Sequence, residues 1–277
     1  MQNRVLWTGI ALIGMAMGAQ GQWLNHPTAG TPRTPDGKAN LSAPAPRLHG
    51  KPDLTGIWQA EGAPISELKK LLPGGVNGLG EDPPNLYFLN ILSDFQPEAA
   101  PIQPAALPVF EKHAQAFGKD SPETHCLPLG VPLAELAPAP FQVLQTPDTL
   151  ALLYEPDTSF RRIHTDGRTF PEDMQPAWMG YSVGKWEGDT LVVEARGFND
   201  KSWLDAFGHT HSEALRVIER FHRRDFGHLD LTITIDDPKT YTRPFTFKTS
   251  AVLLPDTDLI ESYCVENERD VVHLAAQ

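Results

Sequence analysis

The sequence predicts an all-β fold: an antiparallel up-and-down meander forming a barrel or a strongly curved sheet, with a Pro-rich, partly helical insertion. After Phe141, short β-rich runs follow one another at regular spacing with turn chemistry between them. In the run His228 to Asp236, apolar Leu229, Leu231, Ile233 and Ile235 alternate with polar residues, so the strand has one dry and one wet face. No interval between these runs has room for the crossover helix of about ten residues or more that a parallel α/β sheet needs.

The first strand is Leu54 to Gln59, which carries Gly56-Ile57-Trp58. The insertion over 61–140 is dense in proline and holds two helical patterns. One is Ile65 to Leu72, closed by Pro73-Gly74-Gly75; the other is Pro108 to Phe117, closed by Gly118. Pro-rich segments of this length wrap a scaffold or border a site. Further strands are expected at 141–146, 150–155, 159–165, 179–186, 190–197, 211–223, 228–236, 241–254 and 258–266. Between them, Pro147-Asp148, Pro156-Asp157, Asp166-Gly167, Glu187-Gly188-Asp189, Asp225-Phe226-Gly227, Asp236-Asp237-Pro238 and Pro255-Asp256 supply fixed φ, Asx side chains or positive-φ glycine. A meander of about ten strands has to close, stack or curl.

Three regions divide the chain: a signal peptide over 1–21, a flexible N-terminal arm over 22–51, and one β-rich domain over 52–277. Arg4 precedes an apolar run from Val5 to Met17, and Ala19 and Gly21 supply the small residues of a cleavage site. That run is shorter than the roughly 20 residues of a bilayer-spanning helix, so the mature chain is expected to be periplasmic or secreted, without stable membrane insertion. The formal charge of −12 becomes more negative once Arg4 is lost, which disfavours nucleic acid and anionic lipid as partners. Cys126 and Cys264 are the two cysteines, and export makes a disulfide between them the expected state.

Chemistry concentrates in Gly208-His209-Thr210-His211-Ser212-Glu213. On a strand, His209, His211 and Glu213 share a face. Two imidazoles and a carboxylate suit a divalent metal, zinc or iron, and equally a metal-free acid/base pair with Asp205 as helper. The bland alternative, a polar loop whose histidines are simply hydrogen-bonded, stays open, and no cofactor is firmly implied. Arg162 and His164 share a face that would serve an anionic ligand; ion pairing with acids between Glu213 and Asp230 is the competing account. Trp178, Tyr181 and Trp203 are candidates to line a pocket for an aromatic or sugar-like molecule, or to be core. Gly-x-Ser-x-Gly, P-loop, dinucleotide and His-Glu-x-x-His signatures are absent, which argues against nucleotide-driven chemistry.

Six blocks carry a resemblance: 52–58, Cys126-Leu127-Pro128-Leu129-Gly130, 164–168, Met179 to Thr190, Gly208 to Arg216, and Glu266-Asn267-Glu268. Through them the chain resembles an uncharacterised family of exported bacterial proteins. Gly56-Ile57-Trp58 is also similar to the Gly-x-Trp signature of lipocalins, a resemblance that implies a barrel holding a small hydrophobic ligand. The function expected is an exported binder of a hydrophobic, aromatic or sugar-like small molecule, its pocket at one barrel mouth walled by 61–140. The alternatives are a periplasmic hydrolase, lyase or isomerase built on the histidine cluster, and a structural envelope protein.

Overall fold

A computed structural model describes residues 27–71, 83–116, 118–156 and 158–264. The expected signal peptide lies outside them. Two short strands, β1 (Arg47–Leu48) and β2 (Lys51–Pro52), form a small ribbon. The barrel strands are β3 (Gly56–Ala60), β4 (Phe141–Gln145), β5 (Thr149–Tyr154), β6 (Phe160–His164), β7 (Tyr181–Glu187), β8 (Thr190–Arg196), β9 (Arg216–Arg223), β10 (His228–Asp236) and β11 (Phe245–Leu253). Each pairs with its sequence neighbour, and β11 returns to β3 through Leu253 opposite Trp58, so the sheet closes.

An odd number of strands cannot alternate in direction all the way round. One neighbouring pair must run the same way, and that pair is β6 with β7, through Ile163 opposite Ser182 and His164 opposite Val183. Residues 165–180 therefore carry the chain the length of the barrel between them. This single parallel pair is where the barrel departs from a purely antiparallel meander.

The two ends are capped differently. Helices α1 (Ile65–Leu71), α2 (Leu86–Leu89), α3 (Leu107–Ala116) and α4 (Leu133–Leu136) all belong to the Pro-rich segment. This segment leaves the end of β3 and covers the upper end together with the β8–β9 and β10–β11 loops. All four residues of α4 are buried. The lower end carries the arm and the β4–β5, β7–β8 and β9–β10 turns. Where the sequence suggests a flexible arm over 22–51, its described part is fastened down. Arg33 pairs with Asp256 at 2.7 Å, Gly227 and Phe226 donate backbone hydrogen bonds to Leu41 and Ala43, and Arg47 meets Asp189 at 3.0 Å.

Alternation places Trp58, Phe141, Leu152, Ile163, Leu191, Val193, Val217 and Ile233 inside, all buried. The void left among Leu54, Val143, Leu191, Phe221 and their neighbours is about 10 Å³, about the least space one water needs. Among the described residues, buried side chains pack this part of the barrel interior.

Three expected strands differ, the one over 241–254 beginning only at Phe245. The one over 211–223 begins only at Arg216, and over 258–264 the chain is irregular apart from an isolated bridge between Pro156 and Ser262. Cys126 and Cys264 form a disulfide with Cα atoms 5.4 Å apart. It ties the end of the Pro-rich segment to the C-terminal stretch beyond the last strand. Among the described residues no helix is long and apolar enough to cross a membrane.

Candidate functional site

The β8–β9 loop at the upper end holds the histidine cluster. Asp205 is fully buried, and its carboxylate accepts from the Ile91 backbone N–H at 2.8 Å and from His209 Nδ1 at 2.6 Å, while its other oxygen accepts from the His209 backbone at 3.1 Å. With Nδ1–H committed to Asp205, the His209 lone pair is on Nε2. The ring packs edge-on against Phe110 at 4.9 Å, and its side chain is 12% exposed. Asp205 thus holds the His209 ring through Nδ1 and leaves Nε2 outside that contact; of the expected cluster of His209, His211 and Glu213 with Asp205 as helper, these two are the residues brought together.

His211 points elsewhere. Its Nδ1–H donates to the Ser212 carbonyl at 2.9 Å, so Nε2 accepts from Ser202 Oγ, also at 2.9 Å. Burial pushes its pKa down, which keeps this ring neutral. Glu213 is exposed and paired with Lys239, which holds its carboxyl below the usual range. The shared face expected for His209, His211 and Glu213 does not form. The physical reason is Asp237, which accepts from both the backbone N–H and the hydroxyl of Ser212, at 2.6 and 2.7 Å. The Leu215 N–H then bonds back to the Ser212 carbonyl, closing a turn where an extended strand was expected. Among the described residues no group of three or more His, Cys, Asp or Glu side chains could hold a metal ion.

The residues expected to bind ligand divide into two sets. Arg162, His164 and Tyr181 meet on the outer face of β6 and β7. His164 stacks on Tyr181 at 5.2 Å, and Arg168 reaches the Tyr181 hydroxyl at 3.3 Å. Burial, then Arg168 and Arg162, push the His164 pKa down. Trp203 is instead buried and stacked on His113 at 4.5 Å, and Trp178 is half-buried in the β6–β7 connection.

Arg161 alternates to the inside. Its guanidinium donates to Glu135 of α4 at 2.7 Å, to both carboxylate oxygens of Glu219, and to Ser182 Oγ at 3.0 Å. Tyr154 also hydrogen-bonds Glu135, at 2.5 Å. Two carboxylates on one cation leave an unbalanced negative charge in the core, and burial pushes Glu135 up to about 7. Arg161, on the opposite face of the strand from Arg162 and His164, is thus the residue that pairs with buried acids, one of them Glu219 and the other Glu135.

A concavity of about 600 Å³ lies at the lower end, between the arm and the barrel mouth. Pro27, Ile57, Phe226, Leu253 and Leu254 give it apolar walls; Thr31, Thr55, Gln142 and Arg223 give it polar groups. Its walls come from the arm and the C-terminal stretch, and the 61–140 segment expected to wall a pocket lies at the other end. Sequence reasoning singled out neither Arg223 nor Ser202. The position of Arg223, last on its strand and three residues before Phe226, was the available signal. No protein-family model matches the chain, and no curated protein matches it.

Proposed function

We propose that this is an exported small-molecule-binding protein whose ligand sits between the N-terminal arm and the barrel mouth. The observation that carries the reading is the 600 Å³ concavity, within the size range of ligand sites and mixed in lining as such sites are. The packed interior agrees with it, since the void of about 10 Å³ among Leu54, Val143 and their neighbours holds no organic ligand. Export rests on the Arg4 to Gly21 pattern and agrees with the Cys126–Cys264 bridge.

The test is titration with the neutral dye N-phenyl-1-naphthylamine. Saturable one-to-one binding is expected, weakened at least tenfold by Thr257→Trp, which adds bulk at the half-exposed rim. Non-saturable binding, or binding that Thr257→Trp leaves unchanged, overturns the reading.

One specific observation favours a second reading. The 2.6 Å contact between buried Asp205 and His209 is the arrangement of a metal-free proton-transfer enzyme, with Nε2 of His209 as base.

A further inference from the structure

We infer that the ligand of the lower concavity is an amphipathic carboxylate whose carboxylate group pairs with Arg223. This rests on the binding reading above and names the ligand class for that same site.

Arg223 ends β9 and is 4% exposed. Its guanidinium hydrogen-bonds carbonyls alone: Nε reaches Asp225 and Phe226 at 3.3 and 3.2 Å, Nη1 reaches Asp53 and, at 3.4 Å, Thr55, and Nη2 reaches Phe226. The rings of Trp58 and Phe226 flank it, with centroids 4.9 and 5.2 Å from its central carbon. Among the described residues no carboxylate lies within ion-pair distance, unlike buried Arg161, which grips two. Of the two N–H groups on Nη2, one is uncommitted among those partners. A buried cation with no carboxylate in direct contact is costly, because carbonyl dipoles replace hydration but only the more distant charges of Asp53 and Asp225 oppose its own. Burial pushes Arg223 down to about 10, partly opposed by the Asp53 and Asp225 charges.

A second polar atom points the same way. Thr31 Oγ1, in the arm that lines the same concavity, is buried and has no hydrogen-bond partner among the described residues. An uncommitted N–H and an unpartnered hydroxyl are each groups that a carboxylate or its neighbouring polar atoms would satisfy. The two acids in the lining are turned to their own backbones: Asp53 accepts from the Thr55 N–H and Asp258 from the Leu259 N–H, both at 2.9 Å. Ile57, Leu253 and Leu254 offer a dry wall to the rest of the ligand, which accounts for an amphipathic molecule in preference to a free inorganic anion.

The test compares dodecanoate, dodecanol and dodecylamine by calorimetry on the intact, oxidised protein. Dodecanoate is expected to bind at least tenfold more tightly than dodecanol, and dodecylamine more weakly than either. Arg223→Met should remove the difference and Arg223→Lys should keep part of it. Because Arg223 also fastens two loops, the Met variant could unfold, and the three-ligand comparison in the unaltered protein then decides. Equal affinity for dodecanoate and dodecanol overturns the assignment of Arg223 and leaves the binding site standing. Dye binding without saturable binding of dodecanoate overturns the carboxylate class. Failure of the dye itself strikes at the binding reading.

Discussion

The Arg223 guanidinium lies against the ring of Trp58, 4.9 Å from its centroid, and between them they close the lower end of the barrel. Trp58 is fully buried, and its Nε1–H donates to the Leu54 carbonyl at 3.0 Å. The ring therefore fixes the chain entering β3 as well as filling the core. Trp58→Ala is expected to cost about 3–5 kcal/mol by removing a buried aromatic from a site that cannot collapse. Urea unfolding checks this, and a loss below about 1 kcal/mol would mean that the ring is not core.

Glu135 makes stability fall as pH rises. Its folded-state pKa stands above the unfolded value, from 4.5 to about 7, through burial and the nearby Glu219 charge, partly opposed by Arg161. Its contribution is thus complete below the unfolded pKa and is lost as pH rises through about 7. At about 1.4 kcal/mol per unit, the effect is on the order of 3 kcal/mol. Buried neutral His211 acts in the opposite sense, losing stability as pH falls. The comparison that isolates Glu135 is wild type against Glu135→Gln from about pH 5 to about pH 8. The wild type should lose stability over that range relative to the variant, and parallel curves would rule the linkage out.

Reduction of the disulfide should destabilise the whole barrel. The bridge closes a loop of 138 residues, for which the chain-entropy relation gives about 5 kcal/mol. A Cys126→Ser, Cys264→Ser variant is expected to lower the urea midpoint to match reduced wild type. If the variant and the reduced protein unfold like the oxidised one, the bridge staples only the C-terminal stretch to the Pro-rich segment.

The barrel was legible because alternation and turn chemistry are local. Leu229 to Ile235 declares one buried face, and Asp166-Gly167 or Glu187-Gly188-Asp189 states where the chain reverses. Strand parity was less visible, since the parallel β6–β7 pair depends on the count of strands around the whole barrel. The histidine cluster misled for a related reason. Whether 208–213 is a strand depends on Asp237, some 25 residues away, reaching the Ser212 backbone. The lower concavity was still harder to foresee. Pro27 to Thr31 carries no periodicity, and its docking is fixed by single partners such as Asp256, which accepts from the Thr28 N–H at 2.9 Å.

Asp205→Asn tests the upper-end pair directly. In the wild type the carboxylate accepts from His209 Nδ1, from the His209 backbone and from the Ile91 backbone. An amide of the same shape has one accepting oxygen, so at least one buried donor loses its partner, at a cost of about 1–3 kcal/mol. Because one carboxylate oxygen accepts from both Ile91 N–H and His209 Nδ1–H, the amide that keeps its oxygen there loses only the bond to the His209 backbone. Nitrogen-15 NMR of the ring should therefore report an Nδ1–H tautomer in the wild type and in Asp205→Asn, and a mixture of tautomers in Asp205→Ala, which removes the acceptor. Proton-transfer activity kept in part by Asp205→Asn and lost in Asp205→Ala would favour the enzyme reading; dye binding at the opposite end should be unaffected, because the two sites share no residue. If Asp205→Ala leaves the tautomer unchanged, Asp205 does not orient His209, and the second reading loses its one supporting observation.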